Sequence, residues 1–224
     1  MNATAGSIAV YLETGDSGKW KEPETRSLFL EGSLPSGNGS VRAGPVVCSR
    51  SGYVGFIACA FLPGGYSRLV LGLTAIFGKT IEGPWGNCRV VRVNADPAAH
   101  PWVRVIQYNH PGPERPLHSP VRLRTWTPLV CPFSILKEIR EAGMILGLGS
   151  SEGEFSDGGA GGWRITSVRL SNSFYNKDTM FGSIDLFSGH PMAGKILDLA
   201  ILKGFGSDKE KGYGHLDIIP SGRQ

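Results

Sequence analysis

The sequence has little of what marks a membrane, secreted or metal-binding protein. No apolar run reaches the roughly 18 residues that a membrane span needs. There are four cysteines, Cys48, Cys59, Cys88 and Cys131, with no CxxC pair and no Cys-His spacing of a zinc site, which reads as buried reduced thiols. The opening stretch Met1–Trp20 lacks both the basic start and the apolar core of a secretory signal, so a cytoplasmic location is expected. Charge is sparse: charged residues are 19% of the chain and the net charge is +4, modest for a nucleic-acid binder. Histidine is scarce too, with five in all and none before His100. Glycine, by contrast, is abundant. It supplies 32 of the 224 residues, about twice its ordinary share of roughly 7%. It shows no three-residue period, which excludes collagen and assigns the glycines to turns, strand ends and loops. With 41% hydrophobic residues the chain can bury the core of one large domain or two small ones.

The distribution of charge says more than its total. Between Gly86 and Trp126 lie Arg89, Arg92, Arg104, Arg115, Arg122 and Arg124 against two acids, Asp96 and Glu114. These arginines alternate with Trp102, Tyr108 and Trp126 and with His100, His110 and His118. Guanidinium forks match phosphate and aromatic faces stack on unpaired bases, so the segment is a candidate RNA surface. A solvated strand face whose arginines pair with acids elsewhere is the plainer alternative.

Strand-like runs are Ser7–Glu13, Arg26–Glu31, Tyr53–Leu62, Arg68–Phe77, Cys88–Asn94, Trp102–Tyr108 and Val121–Trp126. In Val121-Arg122-Leu123-Arg124 the alternation puts both arginines on one face. Two segments read as helices, Pro132–Ala142 with Gly143 as its stop and Pro191–Leu202 closed by Gly204. Ile135, Leu136, Ile139 and Met144 would form one buried stripe, and Ile196, Leu197, Ala200 and Ile201 the other. His190, just before Pro191, reads as a helix-start residue. Helix, glycine loop and strand then recur: Gly147-Leu148-Gly149-Ser150 aligns with Gly204-Phe205-Gly206-Ser207, as two copies of one supersecondary unit would. The division suggested is a β-rich N-terminal module, residues 1–128, and a C-terminal module, residues 129–224.

The sharpest motif is Gly204-Phe205-Gly206-Ser207-Asp208-Lys209-Glu210-Lys211-Gly212-Tyr213-Gly214. Its four spaced glycines would let backbone amides approach an anion with no Cβ in the way, and Lys203, Lys209 and Lys211 add charge. It lacks the Gly-Lys-Ser/Thr ending of a Walker loop and does not open a helix after a strand, so neither nucleotide fingerprint fits. A glycine-rich connection that merely turns is the alternative.

This loop resembles the C-terminal glycine-rich loop of the CRISPR-associated RAMP superfamily. Within it the likeness is greatest to the endoribonucleases that cut precursor CRISPR RNA at each repeat. The preceding Phe181-Gly182-Ser183-Ile184-Asp185-Leu186, the helix Pro191–Leu202 and the strand His215–Ile219 carry the likeness further. The resemblance implies an α+β fold of tandem ferredoxin-like (RRM-like) modules, RNA binding, and assembly with other CRISPR-associated subunits, with no membrane and no cofactor. It also implies that Gly204, Gly206, Gly212 and Gly214 contact the RNA backbone, with Lys209 and Lys211 beside them. Lys203, Tyr213 and His215 around the loop and Arg104, Arg122 and Arg124 of the basic stretch complete the expected RNA-binding set. Cleavage in that family is metal-independent. Many members have a histidine near the N-terminus, which this chain lacks. The candidates are then His100, His110, His118 and His215. His110 and His118 flank a loop in the basic stretch, the better place for chemistry, with Arg115 as their electrostatic partner. A non-catalytic subunit that binds guide RNA, and an α+β protein with no nucleic-acid role, are the other readings.

Overall fold

The computed structural model describes residues 4–34, 41–108, 117–148, 162–172 and 178–219. His110 and Arg115, the side chain of His118 and the tract 151–161 lie outside the described residues. The chain divides into two units, Met1–Asn109 with Asp208–Gly212, and His110–Ser207 with Tyr213–Gln224.

The first unit runs β1 (Thr4–Thr14), α1 (Pro23–Ser33), β2 (Val41–Arg50), β3 (Tyr53–Ala60), α2 (Gly65–Ala75), β4 (Thr80–Gly83), β5 (Gly86–Asn94) and β6 (Val105–Gln107). Its sheet has the order β2-β3-β1-β5-β4, with β6 on β1 and every named pairing antiparallel. Without β4 and β6 this is the βαββαβ arrangement of a ferredoxin-like module. The strand period of two places Ile8, Val10 and Leu12 of β1 and Val54, Phe56 and Ala58 of β3 on one face. There they are buried with Phe29 and Leu30 of α1 and Leu69 and Leu73 of α2. Trp20 closes this core edge-on to Phe29, with ring centroids 5.3 Å apart, and its Nε1 donates to Thr14 Oγ1.

Two expected strands are helices. Arg26–Glu31 falls inside α1 and Arg68–Phe77 largely inside α2. Both segments are apolar enough to pass for buried strands, because Leu28 and Leu71 complete an alternation; both side chains are in fact exposed. What is buried follows the helical spacing, Arg26, Phe29 and Leu30 in one case, Leu69, Gly72 and Leu73 in the other. The N-terminal part is therefore a ferredoxin-like module in its own right, and its β-rich character comes from the added β4 and β6.

The second unit runs β7 (Leu117–Thr125), β8 (Leu129–Val130), α3 (Ile135–Ile145), β9 (Trp163–Asn172), β10 (Thr179–Ser188), α4 (Ala193–Lys203) and β11 (Leu216–Ile218). The sheet order is β11-β7-β10-β8, with β9 also on β10, again the ferredoxin order with β7 and β10 central. The expected division after residue 128 falls between β7 and β8, whereas the units part before β7. The helix and strand of both repeat copies, α3 with β9 and α4 with β11, lie in this one module.

Ser134 caps α3 by accepting from the Lys137 amide at 3.3 Å, so the helix starts after Pro132. It runs through Gly143 and stops before Gly147, whose φ of +76° a side chain resists. Its buried stripe is Ile135, Glu138, Ile139 and Ala142; Met144 is exposed. α4 buries Ile196, Leu197, Ala200 and Ile201 as the spacing predicts, and ends at Gly204 with φ +85°.

Lys203, at the last turn of α4, is buried, with Nζ 2.5 Å from Glu138 Oε2 and hydrogen-bonded to Glu141. Both carboxylates belong to α3, so one ammonium ties the two helices together. Replacing Lys203 with Met would leave one buried and one half-buried carboxylate facing each other. The expected cost is about 3 kcal/mol or more, read as a fall in the urea midpoint.

Candidate nucleic-acid interface

Alternation in the central strands of the second unit gives its sheet two chemically different faces. Across the β7–β10 ladder Leu123 faces Ile184 and Val121 faces Leu186, while Arg124 faces Ser183 and Arg122 faces Asp185. Leu123, Ile184 and Leu186 are buried on the helix side. Arg122 and Arg124 therefore project from the open side, as the strand pattern predicts. β9 adds Arg169 opposite Ser183 and Ser167 opposite Asp185. Together Arg122, Arg124, Thr125, Arg169, Ser171, Phe181, Gly182, Ser183 and Ile219 line a groove of about 420 Å³.

The groove is cationic but not uniformly so. Arg122 grips Asp185 with both prongs of its fork, Nε to Oδ1 at 2.7 Å and Nη2 to Oδ2 at 3.0 Å. That hydrogen bond, chiefly, holds the Asp185 carboxyl below the usual carboxylate range; burial opposes the shift, and the charges of Arg122 and Arg169 favour it. The carboxylate is thus ionised at neutral pH, and the pair is lost only as pH falls through the lowered value. Arg122, Arg124 and Arg169 outnumber the two carboxyl groups on this face, Asp185 and the Asp217 that lies opposite Arg124 in the β7–β11 ladder, and leave it with excess positive charge. Arg124 lies over the Trp126 ring, 5.6 Å from its centroid, and Trp126 is 41% exposed. Guanidinium forks thus sit beside aromatic faces on a ferredoxin-like sheet, a combination suited to single-stranded RNA.

Gly182 lets β9 lie close against β10 at the groove. Its φ is +151°, and an added Cβ would fall on the Arg169 carbonyl across the ladder. Its amide donates to Thr125 Oγ1 at 2.8 Å, tying β10 to β7 at the level of the arginines.

The sequence-predicted residues separate. Arg122 and Arg124 are together in the groove, whereas Arg104 belongs to the first unit, where its amide donates to Ser7 Oγ and its carbonyl accepts from Ser7 N. Lys203 is held by Glu138 and Glu141. Lys209 and Lys211 form a single 3-10 turn that groups with the first unit, and Lys211 pairs with Asp208 at 3.2 Å. His215 is buried just before β11, with its amide on Thr127 Oγ1, and Tyr213 is half-buried. His190 accepts from the Met192 amide through Nδ1 and so opens α4 as expected. His100 accepts from Trp102 N in the same way, and burial pushes its imidazole pKa down.

The glycine loop does something other than present free amides. Gly204, Gly206, Gly212 and Gly214 are all buried with positive φ. The Gly204 amide donates to Ala200, that of Gly212 to Lys209 and that of Gly214 to Pro128, while Phe205 and Ser207 donate to Gly214 and Val130. An added Cβ at Gly206 would meet the Val130 carbonyl, one at Gly212 the Pro23 carbonyl, and one at Gly214 would fall on the Phe205 carbonyl. These glycines allow close backbone crossings, and the donors named are spent inside the chain. Sequence reasoning missed Arg169, Phe181 and Ser183. The alternation Phe181-Gly182-Ser183-Ile184-Asp185 was the available signal, since it matches that of β7. Among the described residues no group of three His, Cys, Asp or Glu side chains gathers as metal ligands would, and no helix is long and apolar enough to cross a membrane.

No protein-family model matches the chain, and no curated protein matches it in sequence. Solved structures match it along its whole length. A Cas6 in a substrate-mimic complex gives a TM-score of 0.66 at 19% identity, covering 97% of this chain and 100% of that one. A Cas6 of Thermus thermophilus gives 0.63 at 14% identity, covering 98% and 99%. A RAMP protein described as binding different RNA substrates gives 0.52 at 10% identity, covering 96% and 99%. The chain therefore has the tandem ferredoxin-like fold seen in Cas6 and RAMP proteins.

Gly182→Ala and Gly214→Ala should each lower stability by about 1–3 kcal/mol, because the added methyl meets a carbonyl that only a backbone shift can move. Thermal melts against wild type check this.

Proposed function

We propose that the chain binds CRISPR RNA and processes its precursor as a metal-independent endoribonuclease, remaining with the product in a cytoplasmic ribonucleoprotein that includes other CRISPR-associated subunits. The observation that carries the RNA part is the groove of Arg122, Arg124 and Arg169 with Phe181 on an open ferredoxin-like sheet. Support for the substrate class comes from the fold shared with Cas6 structures solved with a substrate mimic or product.

The chemistry consistent with this reading needs no metal. The 2′-hydroxyl attacks the adjacent phosphate, a base takes its proton, an acid protonates the departing 5′-oxygen, and a cation offsets charge on the phosphorane. His110 and His118 are proposed as base and acid and Arg115 as the cation; their side chains lie outside the described residues. The lack of any histidine before His100 favours a second reading, a subunit that holds guide RNA without cutting it.

Incubating the full chain with a CRISPR repeat RNA in EDTA distinguishes the two. The expected result is one cut, leaving a cyclic phosphate or 3′-phosphate end. RNA bound tightly yet intact after long incubation excludes the nuclease and leaves the binding subunit; RNA not bound at all removes both. His110→Ala and His118→Ala should slow cleavage about 100-fold or more with affinity little changed.

Arg124→Ala and Arg169→Ala should each weaken binding and reduce the slope of log affinity against log salt by about 0.7, the value for one phosphate contact on a single strand. Titrations at several salt concentrations measure it.

A further inference from the structure

The open face of the first unit's sheet carries a separate arrangement. Tyr11 of β1 and Tyr53 of β3 lie on the side opposite the buried Leu12 and Val54. Their rings stack with centroids 6.0 Å apart and planes 25° from parallel. A guanidinium stands at each end: Arg92 is 5.4 Å from the Tyr11 centroid and Arg50 is 4.8 Å from that of Tyr53. Arg89, on the same face, pairs with Glu13 at 2.5 Å. Arg50, Arg89 and Arg92 are exposed and both tyrosines half-buried. Three arginines against one glutamate make the patch cationic.

Gly55 shows that the ring of Tyr11 has been accommodated. It lies directly across from Tyr11 in the β1–β3 ladder, and an added Cβ would stand 2.6 Å from a Tyr11 ring carbon and 2.8 Å from Cys48 Sγ. A glycine inside a central strand weakens it, and a common reason for one is a close approach from outside the strand. Here its absent side chain makes room for the Tyr11 ring against the sheet. Burial raises both phenols, so they stay neutral beside a polyanion.

We infer that the Arg92–Tyr11–Tyr53–Arg50 ladder is a stacking platform for unpaired bases of RNA, distinct from the arginine groove of the second unit. Aromatic side chains on the two central strands of a four-stranded ferredoxin-like sheet are placed to take two adjacent bases. Each arginine, exposed and on a long stem, can swing off its ring, leaving that face to a base and giving its fork to the phosphate of the same nucleotide. Charge and flat rings together favour a single strand, since a duplex hides its base faces. The inference rests on the reading that RNA is the ligand, but not on cleavage or on the arginine groove.

Single-stranded RNA carrying 2-aminopurine tests it with the full chain, because stacking on tyrosine quenches the probe. Wild type should bind with quenching. Tyr11→Ala and Tyr53→Ala should each lose about tenfold in affinity, with the quench diminished, while Tyr11→Phe and Tyr53→Phe keep both. Arg50→Ala with Arg92→Ala touches only exposed side chains and should reduce the salt slope by about 1.4 in all. If wild type binds the RNA but the alanine variants and the arginine pair match it in affinity, quench and salt slope, the platform is wrong and the functional reading stands. Phenylalanine variants as weak as the alanine ones overturn stacking in favour of the hydroxyl. No binding by wild type removes the platform and the functional reading together.

Discussion

The candidate interface depends on the register between β7 and β10. Each strand alternates apolar and polar residues, and the ladder sets Leu123 beside Ile184 and Arg122 beside Asp185. A slip of β7 by one residue would turn its side chains over, burying Arg122 and Arg124 against the helices and exposing Leu123. Burying an unpaired guanidinium costs far more than any gain such a slip offers, so the core specifies the charged face as firmly as it specifies itself. The groove is the reverse side of a hydrophobic constraint.

The same logic operates in both units. Each is a βαββαβ module whose helices cover one sheet face and leave the other open. In the second unit that face carries three arginines with Asp185 and Asp217 across from two of them; in the first it carries stacked tyrosines between arginines. Such faces are inexpensive for a ferredoxin-like module, because outward strand residues contribute little to the core and can vary with function. What each face offers a polyanion follows from the residues two apart along its central strands.

The glycines show how composition can mislead. Spaced glycines suit an anion-binding nest and a tight backbone crossing equally well, since both need a missing Cβ and a positive φ. Which use is made depends on where the amide protons go. In this chain the amides of Gly204, Gly212 and Gly214 go to carbonyls of Ala200, Lys209 and Pro128. The motif is legible in the sequence and the partners of its amides are not, because hydrogen-bond partners far apart in sequence carry no local signature. Lys203 is a similar case: beside a glycine loop it looks like a ligand cation, yet its position on α4 brings it to Glu138 and Glu141 on α3.

Alternation alone determined that Arg122 and Arg124 share a face, and helical spacing alone determined the buried stripe of α4, because both periods are properties of the local backbone. Local pattern could not separate strand from helix at Arg26–Glu31 or Arg68–Phe77, where short apolar runs satisfy either period and only packing against β1 and β3 chooses. The tertiary structure decided which distant residues join the arginines, bringing in Arg169 and Phe181 through β9 and β10, and which cations are already neutralised. Sheet order is a global choice, made by burying one face of every strand at once, and no single segment contains it.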